Sequence, residues 1–279
     1  MSAILLAVGI LAGLGLIFGL ILAIASAVMA VPRDEKVEAL KEVLPGANCG
    51  ACGYSGCEGY AQAMAHEGAK VGLCSPGGSA VADATAELLG VSNPGVERQV
   101  ALVRCGGCKC FDGIKQVYTG IATCKAASQF FGGDRNCSYG CLGYGDCAAA
   151  CEYGAIRIED GLAYIDAAKC KGCTMCVAAC PKALIAMAPA GTRGVVRCSS
   201  HDKGAVVRKV CSTGCIGCMK CTKVCEYDAI HVHNALASID PEKCTGCGKC
   251  ADNCPTECIT VFGYRHSWSD RVNAPDMTA

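Results

Sequence analysis

Between Ala3 and Val31 the chain reads AILLAVGILAGLGLIFGLILAIASAVMAV, without one charged residue. About twenty apolar residues cross a bilayer as a helix, so this run predicts a single transmembrane span. A cleaved secretory leader, cut at Ala25-Ser26-Ala27, fits less well, because no basic segment precedes the run and the run is too long. Arg33, Lys36 and Lys41 follow the span, and the positive-inside rule then puts the remainder of the chain in the cytoplasm. Gly9 with Gly13, and Gly15 with Gly19, are small-xxx-small pairs; they either admit another helix or reflect the abundance of glycine in membrane helices.

Past the span the period changes. Asp34 to Leu44 sets Val37, Leu40 and Leu44 on one face, which predicts a short amphipathic helix ended by Pro45-Gly46. Ala80 to Leu89, before Gly90, predicts a second helix, and Ser92-Asn93-Pro94-Gly95 a linker. Farther on, AIRIEDGLAYID (155–166) and AIHVHNALASID (229–240) each alternate apolar and polar residues around a turn. Both predict hairpins, and their likeness implies an internal duplication.

Composition then names the chemistry. The 279 residues include 27 cysteines, while formal net charge is zero and only 18% of residues are charged. Nothing in that balance suggests a nucleic-acid binder. Secreted disulfide scaffolds reach such cysteine density, but they are usually short and lack C-x2-C spacings repeated in this way. Zinc sites use C-x2-C pairs, yet seldom a third cysteine two residues on and a fourth three beyond that.

The spacing C-x2-C-x2-C-x3-C suits 4Fe-4S clusters, with the fourth cysteine of each run ligating the other run's cluster. In CIGCMKCTKVC and CTGCGKCADNC this crossing gives Cys215, Cys218, Cys221 and Cys254 for one cluster, and Cys225, Cys244, Cys247 and Cys250 for another. CKGCTMCVAAC repeats the run with Cys170, Cys173, Cys176 and Cys180. Upstream, CLGYGDCAAAC matches it except that Tyr144 replaces the second cysteine. Cys137 is the expected substitute, giving Cys137, Cys141, Cys147 and Cys180, beside Cys151, Cys170, Cys173 and Cys176. Cys49, Cys52, Cys57 and Cys74 form a complete set of less standard spacing, with Gly50, Gly53 and Gly56 between them to free the backbone.

ALVRCGG at Cys105 and GVVRCSS at Cys198 look alike, and each leads on to a further cysteine, Cys124 and Cys211. That likeness favours a sixth set drawn from Cys105, Cys124, Cys198 and Cys211, with Cys108, Cys110 and Cys258 free or packed. A local set of Cys105, Cys108, Cys110 and Cys124 is the alternative. His231 and His233 read as surface or packing residues, since the neighbouring sets already have four thiols each.

The predicted fold class is α+β. A transmembrane anchor (1–32) leads to a small helical 4Fe-4S domain (33–92), a connecting segment with cluster cysteines (93–135) and a ferredoxin-like unit (136–190). A second connecting segment (191–213), a second ferredoxin-like unit (214–264) and a polar tail (265–279) complete it. No Ser-His-Asp arrangement, phosphate loop or nucleotide fingerprint accompanies these cysteines. Clusters fully ligated by protein thiolates leave no open iron for a substrate, so one-electron transfer is what remains. From Arg193 to Lys223, Arg193, Arg197, Lys203, Arg208, Lys209, Lys220 and Lys223 face a single acid, Asp202, which is a patch suited to an acidic redox partner.

An N-terminal span, then NCGACGYSGCEGYAQAM with Cys74, then CSYGCLGYGDCAAACEYGAI and the doubled runs closely resembles the B subunit of the Rnf complex, over essentially the whole chain. That family is a membrane-bound ferredoxin:NAD oxidoreductase pumping sodium ions or protons. The resemblance implies 4Fe-4S cofactors, soluble ferredoxin as electron donor, and other membrane and cytoplasmic subunits of the complex as partners. It also implies NAD reduction on a different subunit, and recurrence of Cys105, Cys124, Cys198 and Cys211, in favour of the split set. An iron-sulfur subunit of a hydrogenase or molybdopterin reductase is the rival, but such subunits usually lack the Cys49 to Cys74 module beside a span.

Overall fold

The structure, a computed structural model, describes residues 2–28, 34–107 and 113–262. Expectations for Arg33, Cys108, Cys110 and the 265–279 tail lie outside the described residues. The apolar run forms α1 (Ser2–Val28), within which Val8–Ser26 is long and apolar enough to cross a membrane. Large apolar side chains of this helix, such as Leu11, Leu16 and Phe18, are exposed.

Three helices follow: α2 (Glu35–Val43), α3 (Cys57–His66) and α4 (Gly78–Leu89). Asp34 caps α2 by accepting from Lys36 N at 2.8 Å, with Glu35 and Glu38 in the first turn and Lys41 in the last, as the helix dipole favours. The predicted apolar face, Val37, Leu40 and Leu44, is buried against Tyr60, Ala61, Met64, Val71 and Ala86. Tyr60 Oη donates to the Lys70 carbonyl at 2.8 Å and accepts from Leu73 N at 3.2 Å, which fixes the loop carrying Cys74. Gly90 ends α4 in the left-handed region (φ 68°), a conformation that glycine adopts without steric cost.

The rest of the described chain builds four two-stranded antiparallel sheets. Both predicted hairpins form: β2 (Ile156–Glu159) with β3 (Leu162–Ile165), and β6 (Ile230–His233) with β7 (Leu236–Ile239). Each turns through two residues of positive φ, Asp160-Gly161 and Asn234-Ala235, the tight turn whose twist matches that of the strands.

The other two sheets are long-range. β1 (Gln99–Val103) pairs with β4 (Ile185–Pro189), and β5 (Gly194–Val196) with β8 (Ile259–Val261). The strands β1 and β5 are the two VRC segments, and they continue in register: Arg104 N donates to the Leu184 carbonyl and Arg197 N to the Cys258 carbonyl, both at 2.7 Å. Short helices complete the set: α5 (Cys124–Ser128), α6 (Asp146–Ala149), α7 (Met175–Ala179), α8 (Gly204–Val210), α9 (Lys220–Val224) and α10 (Lys249–Asp252).

Two repeats thus share one order of elements, and each has its own core. Val100, Ala101, Leu162, Leu184 and Ile185 surround Cys105, Cys147, Cys170 and Cys176 in the first. Val196, Ile230, Leu236, Ile259 and Val261 surround Cys198, Cys215, Cys221 and Cys258 in the second. The thiols therefore occupy core positions, where metal ligation and folding are linked.

Candidate iron-sulfur centres

Three of the expected sets each ring a cavity. Cys225, Cys244, Cys247 and Cys250 line one, Cys151, Cys170, Cys173 and Cys176 a second, and Cys215, Cys218, Cys221 and Cys254 a third. Local backbone explains the convergence. Thr174, Met219 and Gly248, each between two cysteines of a run, have φ of 63°, 59° and 80°, which turns the chain so that the flanking thiols face one space. All described cysteines are free thiols.

Backbone N–H groups aim at the sulfurs: Ala101 N at Cys170, Ala155 N at Cys151 and Ala229 N at Cys225, all at 3.4 Å, and Leu184 N at Cys180 at 3.5 Å. Such bonds favour thiolates and tune a bound cluster. Burial works the other way, pushing the thiols of Cys176 and Cys221 up to about 11 and that of Cys250 to about 12. Thiols so buried would lose their protons to solvent on ligating a metal, which couples iron binding to proton release.

In the N-terminal module Cys74 is raised first by burial and then by the proximity of Cys57, Cys52 and Cys49, so these four also lie together. Asn48 Oδ1 accepts from Cys57 N at 2.9 Å and anchors the loop that holds them.

The remaining thiols lie on segments that meet from far apart in the chain. Burial pushes the Cys137 thiol up, and Cys105 and Cys198 raise it further. Burial pushes the Cys147 thiol up to about 11, and Cys124, Cys180 and Cys176 add to the rise, so Cys124 joins the expected Cys180 there. The cause lies in Asp146, one residue before Cys147: its Oδ1 accepts from Cys124 N at 2.7 Å and its Oδ2 from Lys125 N at 2.9 Å, pinning the start of α5 there. Cys124 shares a small core with Ala127 and Leu142, against Tyr118 and Tyr144. Tyr144 donates to Asp134 Oδ2 at 2.9 Å, and burial followed by that carboxylate pushes its hydroxyl up to about 12.

Cys105 accepts from Cys141 N at 3.5 Å, and Cys198 from Ser200 N at 3.4 Å. The Cys105 loop is tied to the second repeat, since Arg197 Nη2 donates to the Cys105 carbonyl at 3.2 Å and Ser199 Oγ to the Arg104 carbonyl at 2.9 Å. Arg197, counted above in a basic patch, is therefore an internal tie; Arg193, Lys203, Arg208, Lys209, Lys220 and Lys223 are its exposed cations, and Cys218 is exposed as well.

Sequence reasoning leaves Cys258 without a role, and the structure gives it one. It is 3% exposed, its Sγ lies 3.6 Å from that of Cys254, and its thiol bonds hold both Cys254 and Cys215 well below the ordinary thiol range. The available signal was positional, for the matching residue of the first repeat is Leu184. His231 is solvent-facing, 3.1 Å from the Asp228 carbonyl, and Glu226 pairs with Lys249.

Family models match three stretches: "Putative Fe-S cluster" at residues 44–76, "4Fe-4S binding domain" at 163–185 and "4Fe-4S dicluster domain" at 208–261. Among curated proteins, the chain is 43% identical to the B subunit of the Na(+)-translocating ferredoxin:NAD(+) oxidoreductase complex of Acetobacterium woodii, over 93% of this chain and 78% of that one. It is 41% identical to the B subunit of the ion-translocating oxidoreductase complex of Methanosarcina acetivorans, over 93% and 99%. A third relative, 42% identical over 88% and 87%, is the B subunit of the proton-translocating ferredoxin:NAD(+) oxidoreductase complex of Clostridium ljungdahlii.

Proposed function

This chain belongs to the family of B subunits of ion-translocating ferredoxin:NAD oxidoreductase (Rnf) complexes, and on that premise we propose that it takes electrons from reduced ferredoxin and relays them toward its partner subunits. It is an iron-sulfur electron-transfer subunit, and the other subunits of the complex are its partners. The observation that carries the relay is the rings of four thiols around cavities, each set in the core of a small repeat. When bound, 4Fe-4S clusters supply one-electron carriers of protein-tuned potential.

In this reading residues 33–92 form one cluster domain, and 136–190 and 214–264 are ferredoxin-like units joined by the cysteine-bearing segments 93–135 and 191–213. Cys49, Cys52, Cys57 and Cys74 hold iron nearest the anchor; Cys151, Cys170, Cys173 and Cys176, Cys215, Cys218, Cys221 and Cys254, and Cys225, Cys244, Cys247 and Cys250 hold it in the units. Cys105, Cys124, Cys137, Cys141, Cys147, Cys180, Cys198 and Cys211 are ligands as well. The helix α1 crosses the membrane once and leaves the bulk of the chain in the cytoplasm, where thiolates are kept reduced. Exposed Arg208 and Lys209 on α8, with Lys220 and Lys223 on α9, attract an acidic donor to the neighbourhood of Cys218.

Iron and acid-labile sulfide analysis of anaerobically purified protein tests the reading. Roughly twenty or more irons per chain are expected, whereas an iron-poor, zinc-rich protein sinks it.

A further inference from the structure

The internal repeat extends beyond the ferredoxin-type runs. CSYGC at 137–141 aligns with CSTGC at 211–215, so Cys137 and Cys211 occupy one position in the two repeats. Cys105 and Cys198 occupy another, each at the end of a strand paired with its repeat's last strand. Tyr144 and Cys218 share a third, where the second repeat alone supplies a thiol.

We propose that Cys105, Cys137, Cys198 and Cys211, two from each repeat, form one 4Fe-4S ligand set on the seam between the repeats, and that Cys124 completes the set of Cys141, Cys147 and Cys180. This rests on the reading of the chain as an iron-sulfur carrier.

The seam is built from matched contacts. Cys141 N donates to Cys105 Sγ in the first repeat, and Cys215 N to Cys198 Sγ in the second. The ring of Tyr139, two residues after Cys137, stands 6.1 Å from that of His201, three after Cys198. Arg135, two residues before Cys137, is 3% exposed and donates through Nη2 to the Gly107 carbonyl at 2.6 Å. Its Nη1 is buried without a hydrogen-bond partner among the described residues, and Arg197 approaches from the other repeat. Two guanidiniums at a ring of thiols suit the net negative charge of a thiolate-ligated cube. Away from the seam, the bonds from Cys124 and Lys125 to Asp146 bring the Cys124 thiol into the neighbourhood left without one by Tyr144.

With this exchange the sets form a single line. Cys141 N donates to Cys105 and Cys215 N to Cys198, while Cys221 raises the thiol of Cys250, Cys176 that of Cys147 and Cys49 that of Cys173. The seam set joins the two repeats, and the line ends at the module next to α1.

Iron and sulfide counts on anaerobically purified variants of the full chain test the exchange. Cys137→Ser and Cys198→Ser should each remove about four irons, and the pair together still about four. Cys137→Ser with Cys147→Ser should remove about eight. A loss of about eight from the first pair, or about four from the second, overturns the assignment. A rescue guards against variants that collapse for other reasons. Tyr144→Cys should restore iron to Cys124→Ser and leave Cys137→Ser deficient; rescue of Cys137→Ser instead overturns the exchange. Wild-type protein poor in iron and rich in zinc would overturn the carrier reading, and this assignment with it.

Discussion

The two repeats share hairpins of the same length, short helices at matching cysteines and a VRC strand closing each sheet, yet they differ at three matched positions. Where the second has Cys218, the first has Tyr144 bonded to Asp134. Where the second has Cys258 in contact with Cys254, the first has Leu184, 2% exposed. Where the second exposes Arg208 and Lys209 just before Cys211, the first buries Asp134 and Arg135 just before Cys137. The first repeat buries the pair ahead of Cys137 and holds the start of α5 through Asp146. The second is open, self-sufficient in its own run and charged at its face.

The largest expected test of that contrast is at Gly143 and Gly217, which are equivalent. Both have positive φ, 73° and 63°. A Cβ at Gly143 would overlap the Gly161 carbonyl, while one at Gly217 would stand 3.0 Å from that of Ala235. Gly143→Ala should therefore destabilise by about 2–5 kcal/mol, left-handed strain plus overpacking, and Gly217→Ala by about 1–2 kcal/mol. The midpoint of urea-induced cluster release in each variant measures this, and equal shifts would erase the claim that the first repeat is the tighter.

Exchanging Leu184 and Cys258 has a smaller effect, read as a potential. A thiol donating to ligand sulfurs stabilises the more negative, reduced state. Cys258→Leu should lower the potential of the centre held by Cys215 and Cys254 with iron content unchanged. Leu184→Cys should raise that of the centre held by Cys180. A redox titration followed by EPR reads both shifts; movement of neither would make Cys258 mere packing.

The smallest effect concerns rates at moderate salt. Arg208→Glu with Lys209→Glu should slow reduction by ferredoxin and flatten its ionic-strength dependence, leaving iron content alone. Stopped-flow reduction at two salt concentrations measures it. Unaltered kinetics would place the donor elsewhere on the chain.

Much of this was legible in the sequence where it rests on local periodicity. The hairpins at 155–166 and 229–240, the α2 face and the three complete cysteine runs are all encoded within a dozen or so neighbouring residues. Helices such as α6 and α10 span barely one turn, too short for a period to register. The pairing of β1 with β4 and the hold of Asp146 on Cys124 join residues far apart, and spacing carries no record of such distances. Hence spacing points to a substitute for Tyr144 four residues from Cys141, and carries no sign that Asp146 holds the backbone of Cys124. The alignment of Cys137 with Cys211 is present in the sequence, but it bears on ligation only once Cys105 and Cys198 are seen at matched strand ends.

The pairing of β1 with β4 also sets a timetable. Synthesis at roughly 5–20 residues per second brings Ile185 out of the ribosome several seconds after Val103. In the course of that interval Cys105, Cys147 and Cys170 leave the tunnel in turn, each without the sheet that shelters it. Cysteine protection in the first repeat is thus a race between elongation and oxidant, and its earliest finish is the emergence of β4.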